Sequence, residues 1–428
     1  MQSLTLQPVA ALTGEIHLPG SKSISNRVLL LASMAAGTTR LINLLESDDT
    51  HYMLQALRQL DIHIERDGND YLVEGVAGPL VTQARTESLN LGLAGTALRP
   101  LTAALTLGQG TFRIDGNARM RKRPIAHLVD GLRQLGAQIE YLAEQGYPPI
   151  KVTGTGLRGG RVQMQGNISS QFLTSLLLAA GLADGPVSVD IAGEQVSRPY
   201  LDITVDMMRR FGVDASHYRY QSFTVEPGRY ESPGSFLVEG DASTATYFLA
   251  AGAIAGDGIS VYGIGRGSVQ GDVAFIEVLR AMGAQVTVAA EFVRVEPGRH
   301  QKLRGVDLDL NHIPDAAMTV AVLALFASGT TKIRNIANWR VKETDRLDAM
   351  ARELGKVGAT VVEGDDFLEI TPPTRWQSAS IDTYDDHRMA MCFALCALGG
   401  VPVTINDPDC VSKTFPEYFR EFESLASR

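Results

Sequence analysis

The segment LRQLDIHIERDGNDYLVEG (57–75) closes one pattern and opens another. Its first five residues read as the end of a helix, and the alternating stretch after them reads as two short strands joined by a turn. The helix-ending phrase returns as LRQLG (132–136), MRRFG (208–212), LRAMG (279–283) and LGKVG (354–358). The last residues of the five phrases lie 75, 76, 71 and 75 positions apart. Solenoid repeats are usually shorter; this period is large enough for each copy to be a small βαβ-like unit.

A second phrase keeps step with the first, an Ala/Leu-rich helix ending at Gly before a β-rich stretch. It reads AAGTTRLINL (35–44), ADGPVSVDIAG (183–193), AGDGISVYGIG (255–265), ASGTTKIRNI (327–336) and LGGVPVTIND (398–407), with a looser copy in LGQGTFRIDG (107–116). Six copies of helix, strand, helix, strand, strand therefore fill the chain. The sixth stops at its second helix (416–426) without a strand pair, whereas residues 4–18 read as a strand pair with no helix before it. If the two complete each other, both termini belong to one domain. The expectation is a three-copy domain at 22–239 and a discontinuous one made of 1–21 plus 240–428; six units fused into one barrel is the alternative.

Bulk composition narrows the function. The 428 residues are 45% hydrophobic and 20% charged, as in globular proteins. A net charge of −9 argues against a nucleic-acid partner. The three cysteines, Cys392, Cys396 and Cys410, have no zinc-type spacing, and their odd number suits a reducing compartment. Cys392 and Cys396 read as core packing. No basic segment followed by an apolar run opens the chain, and the apolar runs are too short or too interrupted to cross a bilayer. A soluble, cytoplasmic protein without membrane association is expected, and no metal site is expected because no Cys, His or carboxylate cluster has ligand spacing.

The first helix of every copy opens on small or polar residues: PGSKSISNR (19–27), LAGTALRP (93–100), NISSQFL (167–173), GDASTATYF (240–248), HIPDAAMT (312–319) and DDHRMAM (385–391). Free N–H groups and a partial positive charge make a helix start an anion site. Ordinary capping explains any one of them, Asp241 or Ser243 for example. Six at one period, with Lys22, Arg27, Arg99 and Arg388 beside them, point to an anionic ligand. No nucleotide loop of the G-x-x-x-x-G-K-[ST] or G-x-G-x-x-G kind is present. More cations stand in RMRKRP (119–124), which alone reads equally well as a solvated patch, and in WRVKETDR (339–346). If that second segment is helical, Lys342 and Arg346 are like-charged i,i+4 neighbours, at a cost of roughly 0.2–0.5 kcal/mol that a bound anion offsets.

Taken together, PGSKSISNR, LAGTALRPL, RMRKRPI, ISSQFL, VSRPYLDIT, NHIPDAAM, NWRVKETDR, YDDHRMAM and SKTFP resemble the EPSP synthases, the 3-phosphoshikimate 1-carboxyvinyltransferases of the shikimate pathway. The segments run from residue 19 to 416 in family order, so the resemblance spans essentially the whole chain. It implies an inside-out α/β barrel in two domains, each of three βαβαββ repeats, which close around substrate in the cleft between them. It also implies transfer of the enolpyruvyl group of phosphoenolpyruvate to the 5-hydroxyl of shikimate 3-phosphate, through a tetrahedral intermediate, by a monomer with no cofactor.

Carried over position by position, the resemblance assigns shikimate 3-phosphate to Lys22, Ser23, Arg27, Ser169, Ser170, Gln171, Ser197, Asp315, Asn338 and Lys342. Phosphoenolpyruvate falls to Lys22, Gly95, Arg123, Gln171, Arg346, Arg388 and Lys413. Serine hydroxyls beside helix N–H groups suit phosphate, and the planar arginine fork suits paired carboxylate or phosphate oxygens. Asp315 is expected as base and Glu343 as acid, with Lys22 opposing charge on the intermediate. A helix cap is the rival role for Asp315 and an ion pair with Lys342 or Arg346 the rival for Glu343. His387 is read as a packed neutral histidine, with proton relay as the other possibility. One position departs from the family pattern: Leu93 stands where Asn is usual, two residues before Gly95.

Two other functions compete. An enzyme handing the same group to UDP-N-acetylglucosamine would carry a reactive cysteine in the loop that here reads GNARMRKR (116–123), and there is none. A non-catalytic binder of phosphorylated metabolites would have no use for the pairing of Asp315 with Glu343.

Overall fold

A computed structural model describes residues 2–298 and 302–427. The chain divides into two compact units, Gly20–Val238 and Met1–Pro19 with Glu239–Arg428.

In Gly20–Val238 six helices alternate by role. Helices α1 (Lys22–Met34), α3 (Gly95–Leu105) and α5 (Ser170–Ala180) open the three copies. α1 is buried at every position except Ser23, because LLLASM and its neighbours leave no polar stripe. The second helices, α2 (Asp48–Gln59), α4 (Ala126–Gln134) and α6 (Pro199–Arg210), are amphipathic and keep one exposed face. Each helix packs on the next in sequence and α6 returns to α1, so the six close a ring. Three four-stranded sheets pack on it from outside. Residues Gly160–Gln165 show why: Val162 and Met164 are buried while Arg161, Gln163 and Gln165 face solvent. In each sheet a parallel pair is followed by an antiparallel hairpin, as in Thr86–Asn90 against Gly110–Asp115, then Ile150–Gly154 and Gln138–Tyr141. The first copy takes its leading strand from the far end of the unit, Ser235–Leu237 pairing in parallel with Ala36–Ile42.

The other unit repeats the plan with α7 (Ala242–Ile254), α8 (Phe275–Met282), α9 (Ala317–Leu323), α10 (Arg346–Lys356), α11 (His387–Ala394) and α12 (Tyr418–Leu425). Its core joins Phe248, Trp339, Leu347, Phe393 and Tyr418. Cys392 and Cys396 lie inside it, fully buried.

The N-terminal strands correct one expectation. Residues 4–18 do not form a strand pair of their own. Ser3–Leu6 runs antiparallel to Val403–Asn406 and supplies the third strand of the sixth copy, while Gly14–His17 runs parallel to Ile259–Tyr262 and leads the fourth. A two-residue strand between them, Ala11–Leu12, pairs with Ala426–Ser427. The sixth copy therefore has three strands where the others have four. Alternation along 4–18 shows that these are strands but not which partners they take, since pairing is decided by contacts hundreds of residues away.

Candidate active site

All six first helices begin within the stretches read as anion-facing starts. In Gly20–Val238 three of these starts gather cations. Lys22, the first residue of α1, lies 3.6 Å from the Asp49 carboxylate. Thr96 joins them, donating to Asp49 at 3.3 Å and accepting from Asn26 at 2.7 Å. At the start of α3, Gly95 leaves room for its neighbours. A Cβ there would stand 2.7 Å from Nη1 of Arg99, 3.1 Å from Oε1 of Gln171 and 3.2 Å from Nη1 of Arg123. Arg99 donates to Gln171 and lies 5.1 Å over the Phe172 ring; Arg123 donates to the Leu93 carbonyl at 3.5 Å. Two arginines, a glutamine amide and a bare backbone thus meet at one helix start, each polar side chain reaching it from a different loop or helix.

The basic loop before α4 is of mixed character. Arg121 and Lys122 are exposed, and Arg121 grips Asp115 through Nε and Nη2 at 2.9 and 2.8 Å. Arg123 turns inward and is buried. Leu93 is buried too, so its part near Gly95 is played by its carbonyl.

Arg27 occupies the middle of α1 and is 4% exposed. Its guanidinium donates to Thr204 at 3.0 Å, Thr174 at 3.3 Å, and the Ser23 and Tyr200 carbonyls at 2.8 and 3.3 Å. All are neutral oxygens. Burial without a carboxylate partner lowers its pKa from the usual arginine range to about 10. Ser169 caps α5, accepting from the Gln171 N–H, and Ser170 is buried beside it. Ser197 is buried with a left-handed backbone, φ +53°, just before α6.

In the other unit Arg346, at the first position of α10, is the organising group. Its Nη1 lies 2.9 Å from Asp315 and its Nη2 3.0 Å from Glu343. From the far side Asp386, the N-cap of α11, takes Nε at 2.7 Å and Nη2 at 3.3 Å. Burial would lower the Arg346 pKa, but Asp386, Glu343 and Asp315 raise it well above its ordinary value. Asp315 receives two more cations, Arg388 at 2.9 Å and Lys342 at 3.5 Å. Burial pushes the Asp315 carboxyl up, yet Arg388, Lys342 and Arg346 together hold it well below the usual carboxylate range. Lys413 stands 4.0 Å from Glu343. Asn338 is buried on the same loop, whose Trp339 indole donates to the Pro314 carbonyl at 2.7 Å and so ties the Lys342 loop to the residue before Asp315.

One detail differs from the sequence reading. Lys342 has extended backbone (φ −83°, ψ −155°) between a 3-10 turn at Ala337–Val341 and α10, so it and Arg346 are not neighbours on one helix. They meet instead across Asp315. Asp315 is not the N-cap of α9, a place taken by Ala316, and its carboxylate oxygens face three cations. Glu343 does pair with Arg346, the alternative considered for it. His387 is fully buried, 3.5 Å from Asp386.

Some residues carry the geometry without having been singled out. Asp386 sits inside the quoted DDHRMAM, where a cap was all its position signalled. Asp49 sits in the first turn of α2, an ordinary place for an acid. Asp272 is buried and accepts from Ser243; burial, then the charge of Asp315, push it up to about 6.

The sequence model of one family, EPSP synthase (3-phosphoshikimate 1-carboxyvinyltransferase), matches residues 6–422. The chain belongs to the EPSP synthase family. A 3-phosphoshikimate 1-carboxyvinyltransferase of Vibrio vulnificus (strain YJ016) is 58% identical, covering 100% of this chain and 99% of the relative. Another from Shewanella halifaxensis (strain HAW-EB4) is 56% identical with 100% of both covered. The solved EPSP synthase of Acinetobacter baumannii superposes with a TM-score of 0.84 at 27% identity, covering 100% of this chain and 98% of that one. NikO, an enolpyruvyl transferase of Streptomyces tendae, shares the fold at a TM-score of 0.79 and 19% identity. As an EPSP synthase family member, the chain is a transferase that moves the enolpyruvyl group of phosphoenolpyruvate to shikimate 3-phosphate in aromatic biosynthesis. Its two-unit α/β fold is that of the family. Among the described residues no helix is long and apolar enough to cross a membrane.

Proposed function

We propose that Asp315 and Glu343 are the base and the acid of this transfer, acting on the 5-hydroxyl of shikimate 3-phosphate without metal or organic cofactor. In the addition, Asp315 takes the hydroxyl proton as the oxygen bonds to C2 of phosphoenolpyruvate, and Glu343 protonates the methylene carbon. In the elimination a proton leaves the new methyl group and phosphate departs from C2, which restores the double bond. Lys22 opposes the charge of the tetrahedral intermediate. Ser23, Arg27, Ser169, Ser170, Gln171, Ser197, Asn338 and Lys342 hold shikimate 3-phosphate; Gly95, Arg123, Gln171, Arg346, Arg388 and Lys413 hold phosphoenolpyruvate. Both sets serve the same substrate pair, in a cytoplasmic monomer.

The observation that carries this reading is that one guanidinium, Arg346, holds both carboxylates, at 2.9 and 3.0 Å. Anionic substrates compete for the same cations. As Arg388 and Lys342 turn toward bound phosphate or carboxylate, Asp315 loses the charges that depress it and becomes a better base. As Lys413 does so, Glu343 loses a neighbouring cation. The test is phosphate release from phosphoenolpyruvate with shikimate 3-phosphate or UDP-N-acetylglucosamine as acceptor. Release with the first alone is expected; release with the second alone, or with neither, would overturn the assignment.

A further inference from the structure

Three of the left-handed non-glycine residues lie around the start of α6: Ser197 (φ +53°), Arg219 (φ +52°) and Tyr220 (φ +58°). Arg219 and Tyr220 form the turn between Ala215–Tyr218 and Ser222–Val225, closed by the Gln221 N–H on the Tyr218 carbonyl at 3.0 Å. Two successive left-handed residues are what such a hairpin turn asks for, and Asn and Gly are its usual occupants. Arg-Tyr is a strained choice. Strain of this kind persists where surrounding contacts over-determine it, often beside functional groups.

The contacts are specific. The Tyr220 hydroxyl donates to both oxygens of Asp202, at 2.9 and 3.1 Å, in the first turn of α6. The phenol is pushed up to about 12, first by burial and then by Asp202, so it remains a donor at neutral pH. His217 stacks on the Tyr220 ring at 4.2 Å, accepts the Tyr220 N–H at 3.4 Å, and turns Nε2 to Asp202 at 3.4 Å. The Arg198 guanidinium lies 5.4 Å over the same ring. One side chain thus touches α6 on both sides of Pro199. The segment it grips carries buried Ser197 and the Tyr200 carbonyl, and one turn on carries Thr204, two of the acceptors that fix Arg27.

We propose that Tyr220 is a positioning residue for shikimate 3-phosphate, setting the start of α6 so that Ser197 meets its phosphate and Arg27 is held through the Tyr200 carbonyl and Thr204. The inference rests on the assignment of Ser197 and Arg27 given above. Tyr220 touches no substrate; it acts through Asp202 and Arg198.

The test uses Tyr220→Phe, Asp202→Ala, Asp202→Asn and the Tyr220→Phe/Asp202→Ala pair. Removing the hydroxyl should raise KM for shikimate 3-phosphate about tenfold, with kcat and KM for phosphoenolpyruvate within about twofold. Asp202→Asn, which keeps an acceptor, should stay near the parent, and the double variant should be no worse than the worse single one. Titration of inorganic phosphate by calorimetry, in parent and Tyr220→Phe, reads the anion site independently of turnover. Weaker phosphate binding in the variant supports the inference even if the parent fails to use shikimate 3-phosphate, an outcome that would sink only the assigned reaction. Equal rises in both KM values, a fall in melting temperature alone, or unchanged phosphate binding would overturn the positioning role.

Discussion

Nη2 of Arg388 lies 2.9 Å from Oδ2 of Asp315, and the same carboxylate faces Arg346 and Lys342 through its other oxygen. Asp315 therefore serves as counter-ion for three cations. Asp315→Asn should destabilise the ligand-free protein by about 1–3 kcal/mol at neutral pH, the cost of leaving buried donors short of a partner. Inorganic phosphate should restore more stability to the variant than to the parent. Folding lowers the Asp315 pKa, so its contribution is complete above the unfolded value of ~3.9 and is lost as pH falls through the lower folded one. Asp272 has the opposite sign. Raised to about 6, it favours folding fully below ~3.9 and loses that contribution as pH rises through 6. Asp272→Asn should therefore gain stability relative to the parent between those pH values. Chemical denaturation of all three proteins across pH 3 to 8 measures both slopes.

Arg346 and Asp386 are both essentially inaccessible to solvent and are joined by two hydrogen bonds. Removing Asp386 leaves Arg346 paired with Asp315 and Glu343 but its buried Nε–H short of an acceptor, so Asp386→Ala should cost about 1–3 kcal/mol. The same change should depress activity by releasing the guanidinium that holds Asp315 and Glu343. A destabilised variant with native activity would show that Asp386 is only a helix cap.

The sequence displayed the repeat and the six helix starts, because period and capping are local properties, whereas the residues assigned to the two substrates came from the family resemblance. It did not display which groups face one another. Asp386 reaches Arg346 across 40 positions, Gln171 reaches Arg99 across 72 and Asp315 reaches Arg388 across 73. Local reasoning accordingly set Lys342 and Arg346 on one helix as a repelling pair, whereas an extended residue and a distant aspartate bring them to a shared carboxylate. The N-terminal strands were missed as separate partners for the same reason.

Leu93 offers a test of backbone against side chain. The carbonyl of Leu93 receives Arg123, and the Gly95 N–H belongs to the helix start, so neither depends on the side chain. Restoring Asn adds at most one hydrogen bond, about 0.5–3 kcal/mol. Leu93→Asn should change kcat/KM for phosphoenolpyruvate by less than roughly a hundredfold. Lys22→Met should abolish most activity, since it removes the cation paired with Asp49. Steady-state kinetics on the two variants decides; a thousandfold response at Leu93 or a mild one at Lys22 would mean that the phosphoenolpyruvate site is misplaced.

The assignment of Asp315 and Glu343 as base and acid is tested most directly by measuring kcat and shikimate 3-phosphate affinity together in Glu343→Gln and Asp315→Asn. Both amides keep the shape of the carboxyl while losing its proton chemistry. Each variant should lose about 10²–10⁴-fold in kcat, the range general acid or base catalysis supplies, while its Kd for shikimate 3-phosphate stays within about tenfold of the parent. Near-native kcat in both variants, or a loss wholly accounted for by weaker binding, would contradict the account.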